Sequence, residues 1–163
     1  MVAFADHETR ERAPCRRPVP GARPSGRRGT VLRMGESLRM GESWTVDDSG
    51  PAPTSAERVR ALLADRISRG QRETWLTSSS GRRLGFVTNA ERAAVLLLDG
   101  VDDPGEHAVD PGATGHSGGF VLANGQYDDY PDRDTVPLDE AFRVVAHIVA
   151  TGSWPVDANR VAD

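Results

Sequence analysis

The stretch RLGFVTNAERAAVLLLD, residues 83–99, determines the fold predicted for this chain of 163 residues. Two largely apolar runs, at 83–88 and 92–99, flank the three residues NAE, which predicts a β-hairpin with a short loop. The uninterrupted AVLLL within the second run predicts a central strand covered on both faces. Before this hairpin, the short aromatic run ETWLT at 73–77 predicts a further strand.

A helix is predicted on each side of the strand region. The first begins at the capping-box pattern TSAE, with Thr54 as N-cap, and ends at Gly70. The second begins near Pro137 and ends at Gly152. Each helix has one apolar stripe at helical spacing. The stripe residues are Val59, Leu62, Leu63 and Ile67 in the first helix, and Leu138, Ala141, Phe142, Val145, Ile148 and Val149 in the second.

Residues 100–131 are predicted to hold a long loop followed by a second hairpin. The loop, 100–119, is rich in Gly, Asp and Pro, with one short strand near Ala108. In GGFVLANGQYDDYP, residues 118–131, Asn124-Gly125 predicts a two-residue turn in which both residues have positive φ. That turn places Leu122 opposite Tyr127 and Phe120 opposite Asp129. The predicted fold is α+β: one antiparallel sheet of about four to six strands, packed with an N-terminal and a C-terminal helix.

The N-terminal residues 1–42 differ in character from the rest. They are rich in Arg, Pro and Gly and show no helical or alternating period, which predicts a disordered tail. The pentapeptide RMGES occurs at 33–37 and again at 39–43. We interpret the repeat as a boundary: the biological protein is expected to begin at Met40 or close to it, leaving residues 1–39 as a leader. Residues 43–163 are then a single α+β domain.

Charge follows the same division. Residues 1–40 carry a net charge of +5 and residues 41–163 a net charge of −9, and all 20 basic residues are arginine. An acidic domain is a poor candidate for binding nucleic acid, which requires clustered basic residues. It favours a basic partner instead.

Several chemistries find no support in the sequence. The single cysteine, Cys15, excludes an intramolecular disulfide and a cysteine-based zinc site. His107, His116 and His147 fall in no metal-binding pattern, and GATGHSGG at 112–119 matches no phosphate loop or nucleophile elbow. No apolar run approaches the ~20 residues needed to span a bilayer. We therefore predict a cytoplasmic protein that is not an enzyme, with no cofactor, no metal and no membrane contact.

The candidate functional residues are two acidic runs. One comprises Asp99, Asp102, Asp103, Glu106 and Asp110. The other comprises Asp128, Asp129, Asp132 and Asp134, interleaved with Tyr127 and Tyr130. Tyrosines beside carboxylates are typical of a protein-binding surface directed at a basic partner. Because side chains alternate along a strand, only one of the two tyrosines is expected to face that surface.

Residues 118–155 resemble the first numbered immunity-protein family of bacterial polymorphic toxin systems, in its actinobacterial members. The resemblance covers about residues 43–155, and its specific motifs lie in the last third. They are the strand pattern G-Q-x-D-x-Y-P at 125–131, the helix start T-V-P-x-x-x-A at 135–141 and the T-G stop at 151–152. Trp154 departs from the pattern, because it follows the stop more closely than the family's C-terminal tryptophan does.

This resemblance implies a non-enzymatic protein that binds a cognate toxin domain and neutralises it by occluding its active site. The usual partner of the family is a zinc-dependent nucleic-acid deaminase, which needs a basic groove for its substrate. Partner contacts are expected from Asp128, Asp129, Asp132 and Asp134, with Tyr127, Tyr130 and Glu106. The alternative is a non-catalytic adaptor or regulatory protein-interaction module.

Overall fold

The structure, a computed structural model, describes residues 42–163. The disorder predicted for residues 1–41 and the expected start at Met40 lie outside these residues. Glu42, which the sequence division assigned to the leader, belongs to the domain: its side chain is 5% exposed and bonds to Arg82 at 3.1 Å.

Ten strands and two α-helices follow in chain order. They are β1 (Trp44–Val46), β2 (Gly50–Pro51), α1 (Ala56–Ser68), β3 (Glu73–Ser78), β4 (Arg83–Thr88), β5 (Arg92–Leu98), β6 (Glu106–Ala108), β7 (His116–Val121), β8 (Tyr127–Pro131), β9 (Val136–Pro137), α2 (Leu138–Thr151) and β10 (Arg160–Ala162). A short 3₁₀ helix, Asp132–Asp134, lies between β8 and β9.

The main sheet is antiparallel and has eight strands. Seven run in the order β10-β6-β5-β4-β3-β1-β2, and β9 pairs with the start of β5. Strands β7 and β8 form a separate two-stranded sheet. The α+β class and its antiparallel sheet are confirmed, but the predicted four to six strands were too few. The additional strands, β1, β2, β9 and β10, have only two or three residues each, too few for a period to show in sequence.

Both helices pack on one face of the sheet. Leu84 and Phe86 of β4 and Val95 of β5 point to that face and form the main core with Leu63 of α1 and Ile148 of α2. Burial of this apolar surface is the main stabilising contribution to the fold. Strand β5 is central, as predicted, with β4 on one side and β6 and β9 on the other. Its second face, with Ala94 and Leu96, is only partly covered.

Helix α1 begins one residue later than predicted. Ser55, not Thr54, is the N-cap, and its hydroxyl accepts a hydrogen bond from the backbone N–H of Arg58 at 3.3 Å. The predicted stripe is confirmed in Val59 and Leu63, which are buried, while Leu62 and Ile67 pack at its margin. The predicted stop is confirmed as well, since Gly70 follows the helix with φ of +81°.

Helix α2 matches its prediction closely. Pro137 precedes the first turn, where Asp139 and Glu140 complement the positive end of the helix dipole. Gly152 ends the helix in the left-handed conformation, with φ of +74°. Phe142 stacks on Phe86 of the sheet, with ring centroids 6.0 Å apart. Within residues 42–163, no helix is long and apolar enough to cross a membrane.

Candidate functional site

The β7–β8 hairpin carries most of the predicted site residues, and its turn differs from the predicted one. Ala123, Asn124 and Gly125 form a three-residue loop, closed by bonds from Gly125 N to Leu122 O and from Leu122 N to Gln126 O, both 2.9 Å. Only Gly125 has a positive φ in this loop, at +84°. This is a turn followed by a glycine bulge, a loop type in which only the glycine has a positive φ and Asn124 does not.

The longer loop shifts the strand register by one residue. Val121 lies opposite Tyr127 and Phe120 opposite Asp128, so the predicted pairs Leu122–Tyr127 and Phe120–Asp129 are wrong. Because the side-chain period is two, this shift moves Asp129 to the other face of the hairpin. Tyr127 and Asp129 are exposed, whereas Phe120 and Tyr130 are buried.

The two tyrosines therefore have different roles, as alternation predicted. The Tyr127 side chain is 76% exposed, whereas Tyr130 is 7% exposed and packs edge-on against Phe120 at 4.7 Å between centroids. Tyr130 donates a hydrogen bond to Asp128 Oδ2 at 3.1 Å. Burial, and then the nearby Asp128 carboxylate, raise the pKa of Tyr130 to about 12. Of the pair, only Tyr127 offers contact area to a partner.

The predicted carboxylates are likewise divided by the fold. Asp128 and Asp129 lie on the hairpin, where Asp128 also accepts a bond from the Gln126 side-chain amide at 2.8 Å. Asp132 is half-buried and accepts a bond from the Ser117 hydroxyl at 2.5 Å. Asp134 is buried, and Glu106 lies on β6, paired with Arg160 at 3.3 Å. The structure thus places Tyr127 and Asp129 on the exposed face of the hairpin, Asp128 half-buried on the other face beside Tyr130, and Asp134 inside.

Three contacts hold the hairpin against the open face of the main sheet. The Asn89 side-chain amide donates to Gly118 O at 3.0 Å, and the backbone N–H of Ala123 donates to Glu73 Oε2 at 2.6 Å. Phe120 and Tyr130 pack on Val87 of β4, in a small cluster separate from the main core. Gly118 lies close to the Asp129 carboxylate: a Cβ atom there would lie 2.5 Å from Asp129 Oδ1, so a larger residue would displace this side chain.

Between the hairpin and the sheet lies a cavity of about 270 Å³. Its walls are mainly apolar, from Trp75, Val87, Ala94, Leu96 and Pro104, and its polar groups belong to His107, Tyr130, Asp134 and Asp163. The Trp75 ring lies directly over Gly85, where a Cβ atom would approach the ring to 2.7 Å. The indole and the glycine thus shape one wall of the cavity together.

His107 is the polar centre of this cavity and is 7% exposed. Its Nδ1 lies 2.8 Å from Asp163 Oδ1, and its Nε2 lies 3.5 Å from Asp134 Oδ1. Neither nitrogen has a hydrogen bond of acceptable direction within residues 42–163, so these short distances are electrostatic contacts. The imidazole therefore lines the cavity with each of its nitrogens facing a carboxylate.

The segment that contains this hairpin carries most of the net negative charge of the domain. Residues 99–134 contain nine acidic residues and one arginine, a net charge of −8, whereas all of residues 42–163 carry −9. Arg82 pairs with Asp99 and Arg92 with Asp110, each at 2.8 Å. Five aspartates of this segment have no arginine or histidine partner in the described part of the chain. They are Asp102, Asp103, Asp128, Asp129 and Asp132.

The sequence interpretation missed the cavity. His107 was weighed only as a metal ligand, and residues 42–163 contain no cluster of three ligating side chains suited to a metal ion. The cavity had one signal in the sequence: the large residue Trp75 lies opposite Gly85 on the neighbouring strand. The contact of His107 with Asp163 joins β6 to the residue after β10, a strand that was not predicted.

Comparison with known proteins adds no assignment: no protein-family model and no curated protein matches this chain. The resemblance to an immunity family stays a prediction that rests on the motifs quoted above.

Proposed function

We propose that this protein is an immunity protein that binds a cognate toxin domain with a basic surface and neutralises it by covering its active site. The observation that carries the proposal is the acidic hairpin: the segment 99–134 has a net charge of −8, and its Asp128 and Asp129, next to the exposed Tyr127, have no arginine or histidine partner within residues 42–163. Carboxylates at an exposed surface attract a basic partner and help to fix its orientation.

The contact surface that we assign is centred on Tyr127 and Asp129, which share the exposed face of the hairpin, and the half-buried Asp128 between them adds a further negative charge. Tyr127 is largely exposed on a hairpin whose other face is fixed to the sheet, so a partner meets a rigid aromatic side chain. Exposed tyrosines of this kind often supply a large part of the binding free energy. The neighbouring carboxylates have no cationic partner within residues 42–163 and are available to arginine or lysine of the toxin.

A deaminase that acts on nucleic acid is the toxin class we favour, because its substrate groove must be basic to hold the phosphate backbone. An acidic hairpin bound in that groove excludes the substrate, because it occupies the basic surface that would hold the phosphate backbone. This mechanism requires no catalysis, cofactor or metal from the immunity protein.

The proposal requires a toxin gene beside the gene for this protein, and the test is survival on co-expression with the toxin domain found there. The double variant Asp128→Arg with Asp129→Arg, and separately Tyr127→Ala, should weaken toxin binding at least about tenfold and reduce protection. The matched control is Glu57→Arg with Asp65→Arg, which makes the same charge change on α1, on the opposite face of the sheet. Thermal melting verifies that each variant folds.

Full protection by the hairpin variants would remove this surface from the proposal. No protection by the folded wild-type protein contradicts the immunity function itself and favours the adaptor alternative.

A further inference from the structure

The cavity beside His107 has the composition of a binding site for a cation with an apolar stem. The Asp163 carboxylate lies at its polar end beside the His107 imidazole, and the other walls are largely aliphatic or aromatic. A carboxylate in such surroundings repels an anion and attracts a cation. Only a ligand with a hydrocarbon portion would cover the apolar walls.

Size narrows the class of ligand. Sites for small molecules usually have volumes of roughly 300 to 1,000 Å³. At about 270 Å³, this cavity lies just below that range and suits a single long side chain. Arginine fits these surroundings better than lysine, because its planar guanidinium donates in a fixed fork to carboxylates and packs against aromatic rings.

We propose that the cavity binds an arginine side chain of the partner protein, with its stem against Leu96 and Ala94 and its guanidinium at His107 and Asp163. This inference rests on the proposed function, since it supplies a second, deeper contact beside the exposed hairpin. His107 is nine-tenths buried and its ring nitrogens lack a well-directed hydrogen bond within residues 42–163. The guanidinium donates to the Asp163 carboxylate, which also lies against His107 Nδ1 at 2.8 Å.

The first experiment needs no toxin. N-propylguanidinium is titrated into the ¹⁵N-labelled protein and followed by NMR, with butyrate as an anionic probe of similar size. The guanidinium probe should shift the amide signals of Ala94 and His107 and the indole signal of Trp75 saturably, and butyrate should not. Absence of saturable shifts at these positions, or equal shifts with butyrate, overturns the proposal.

Two variants locate the probe. Ala94→Leu should abolish binding by filling the cavity. Asp163→Asn should weaken binding about tenfold, because it removes a charged acceptor. Asp65→Asn on α1 is the matched control and should leave the affinity unchanged. If the probe binds Ala94→Leu as tightly as it binds the wild type, its site is elsewhere and the proposal is wrong.

Survival assays separate this inference from the proposed function. If Ala94→Leu loses the probe and also weakens protection, the cavity is an anchor site for the toxin. If Ala94→Leu loses the probe but protects fully, the role in partner binding is overturned while the hairpin surface stands. If the wild type does not protect at all, the proposed function fails, and the probe titration still decides whether the cavity binds guanidinium.

Discussion

At the scale of single residues, Arg66 shows how a charged side chain becomes part of a core. It lies three positions after Leu63 on α1, which places it on the buried face, and it is 5% exposed. Its two terminal nitrogens donate to the two oxygens of Asp48, each at 2.8 Å, and its Nε donates to Thr74 Oγ1 at 2.8 Å. A buried guanidinium is tolerated only with such partners.

Asp48→Asn tests this arrangement. Loss of the carboxylate leaves a buried guanidinium without its counter-charge, so the free energy of unfolding should fall by about 1 to 2 kcal/mol. The loss is no larger because Asp48 is about half exposed and water screens its charge. Urea denaturation at neutral pH measures the loss. Asp65→Asn is the control, because Asp65 pairs with Arg69 where both side chains are exposed, and it should cost only a few tenths of a kcal/mol.

The pH dependence of this effect has a definite sign. Hydrogen bonds from Arg66 and then Ser49 lower the pKa of Asp48 from its usual 3.8 to about 2. The folded protein therefore favours the carboxylate, and the unfolded chain takes up the proton first as the pH falls. The stabilisation is complete above about pH 4 and lost towards pH 2. A difference between wild type and Asp48→Asn that stays constant across this interval contradicts the assignment.

At the scale of elements, the β7–β8 hairpin is a separate unit of packing. Phe120 and Tyr130 meet only Val87 and Leu122 in their cluster, whereas the helices and the main sheet share the large core. Elements that depend on a small satellite cluster open with a lower free energy than the whole domain. We therefore expect the hairpin to detach before the main sheet unfolds.

Phe120→Ala should release the hairpin and leave the rest folded. Removing a buried phenylalanine costs about 3 to 5 kcal/mol, and Phe120 is one of only four residues in the cluster that packs the hairpin on the sheet. Hydrogen exchange should accelerate at residues 116–131 while β3, β4 and β5 stay protected. Phe86→Ala is the matched control: it lies in the main core against Phe142 and should accelerate exchange throughout the domain. Equal acceleration in both variants contradicts separate packing.

The elements also show what sequence patterns determine. Strands β4 and β5 and helix α2 were predictable because each has its own period and its own end signals. The hairpin at 116–131 was predictable as an element, but its register was not, since Asn124-Gly125 is compatible with a two-residue loop or a three-residue loop with a glycine bulge. The main sheet and Asn89 fix the choice through contacts that are distant in sequence.

At the scale of the whole molecule, composition predicted an acidic domain but not where the charge lies. The net charge of −9 became informative only when the fold showed which carboxylates lie on the hairpin and which pair with arginines elsewhere. The same fold buries Tyr130 and Asp134, two residues of the predicted surface. The polar end of the cavity was beyond sequence reasoning, because His107 and Asp163 meet through the pairing of β6 with β10, which was not predicted.

If the acidic β7–β8 hairpin steers a basic toxin, the rate of association should depend strongly on ionic strength. Between about 0.01 M and 1 M salt, the Debye length falls from about 30 Å to about 3 Å, which screens attraction between the separated proteins more than contacts already formed. Stopped-flow mixing with the toxin domain should show a steep fall in the association rate constant and a smaller change in the dissociation rate constant.

Asp128→Asn with Asp129→Asn should flatten that dependence, because it removes two charges from the hairpin. Glu57→Gln with Asp65→Asn removes the same charge from the helical face and should leave the slope close to that of the wild type. Equal flattening by the two pairs would mean that only net charge matters and that the toxin is not directed to the hairpin.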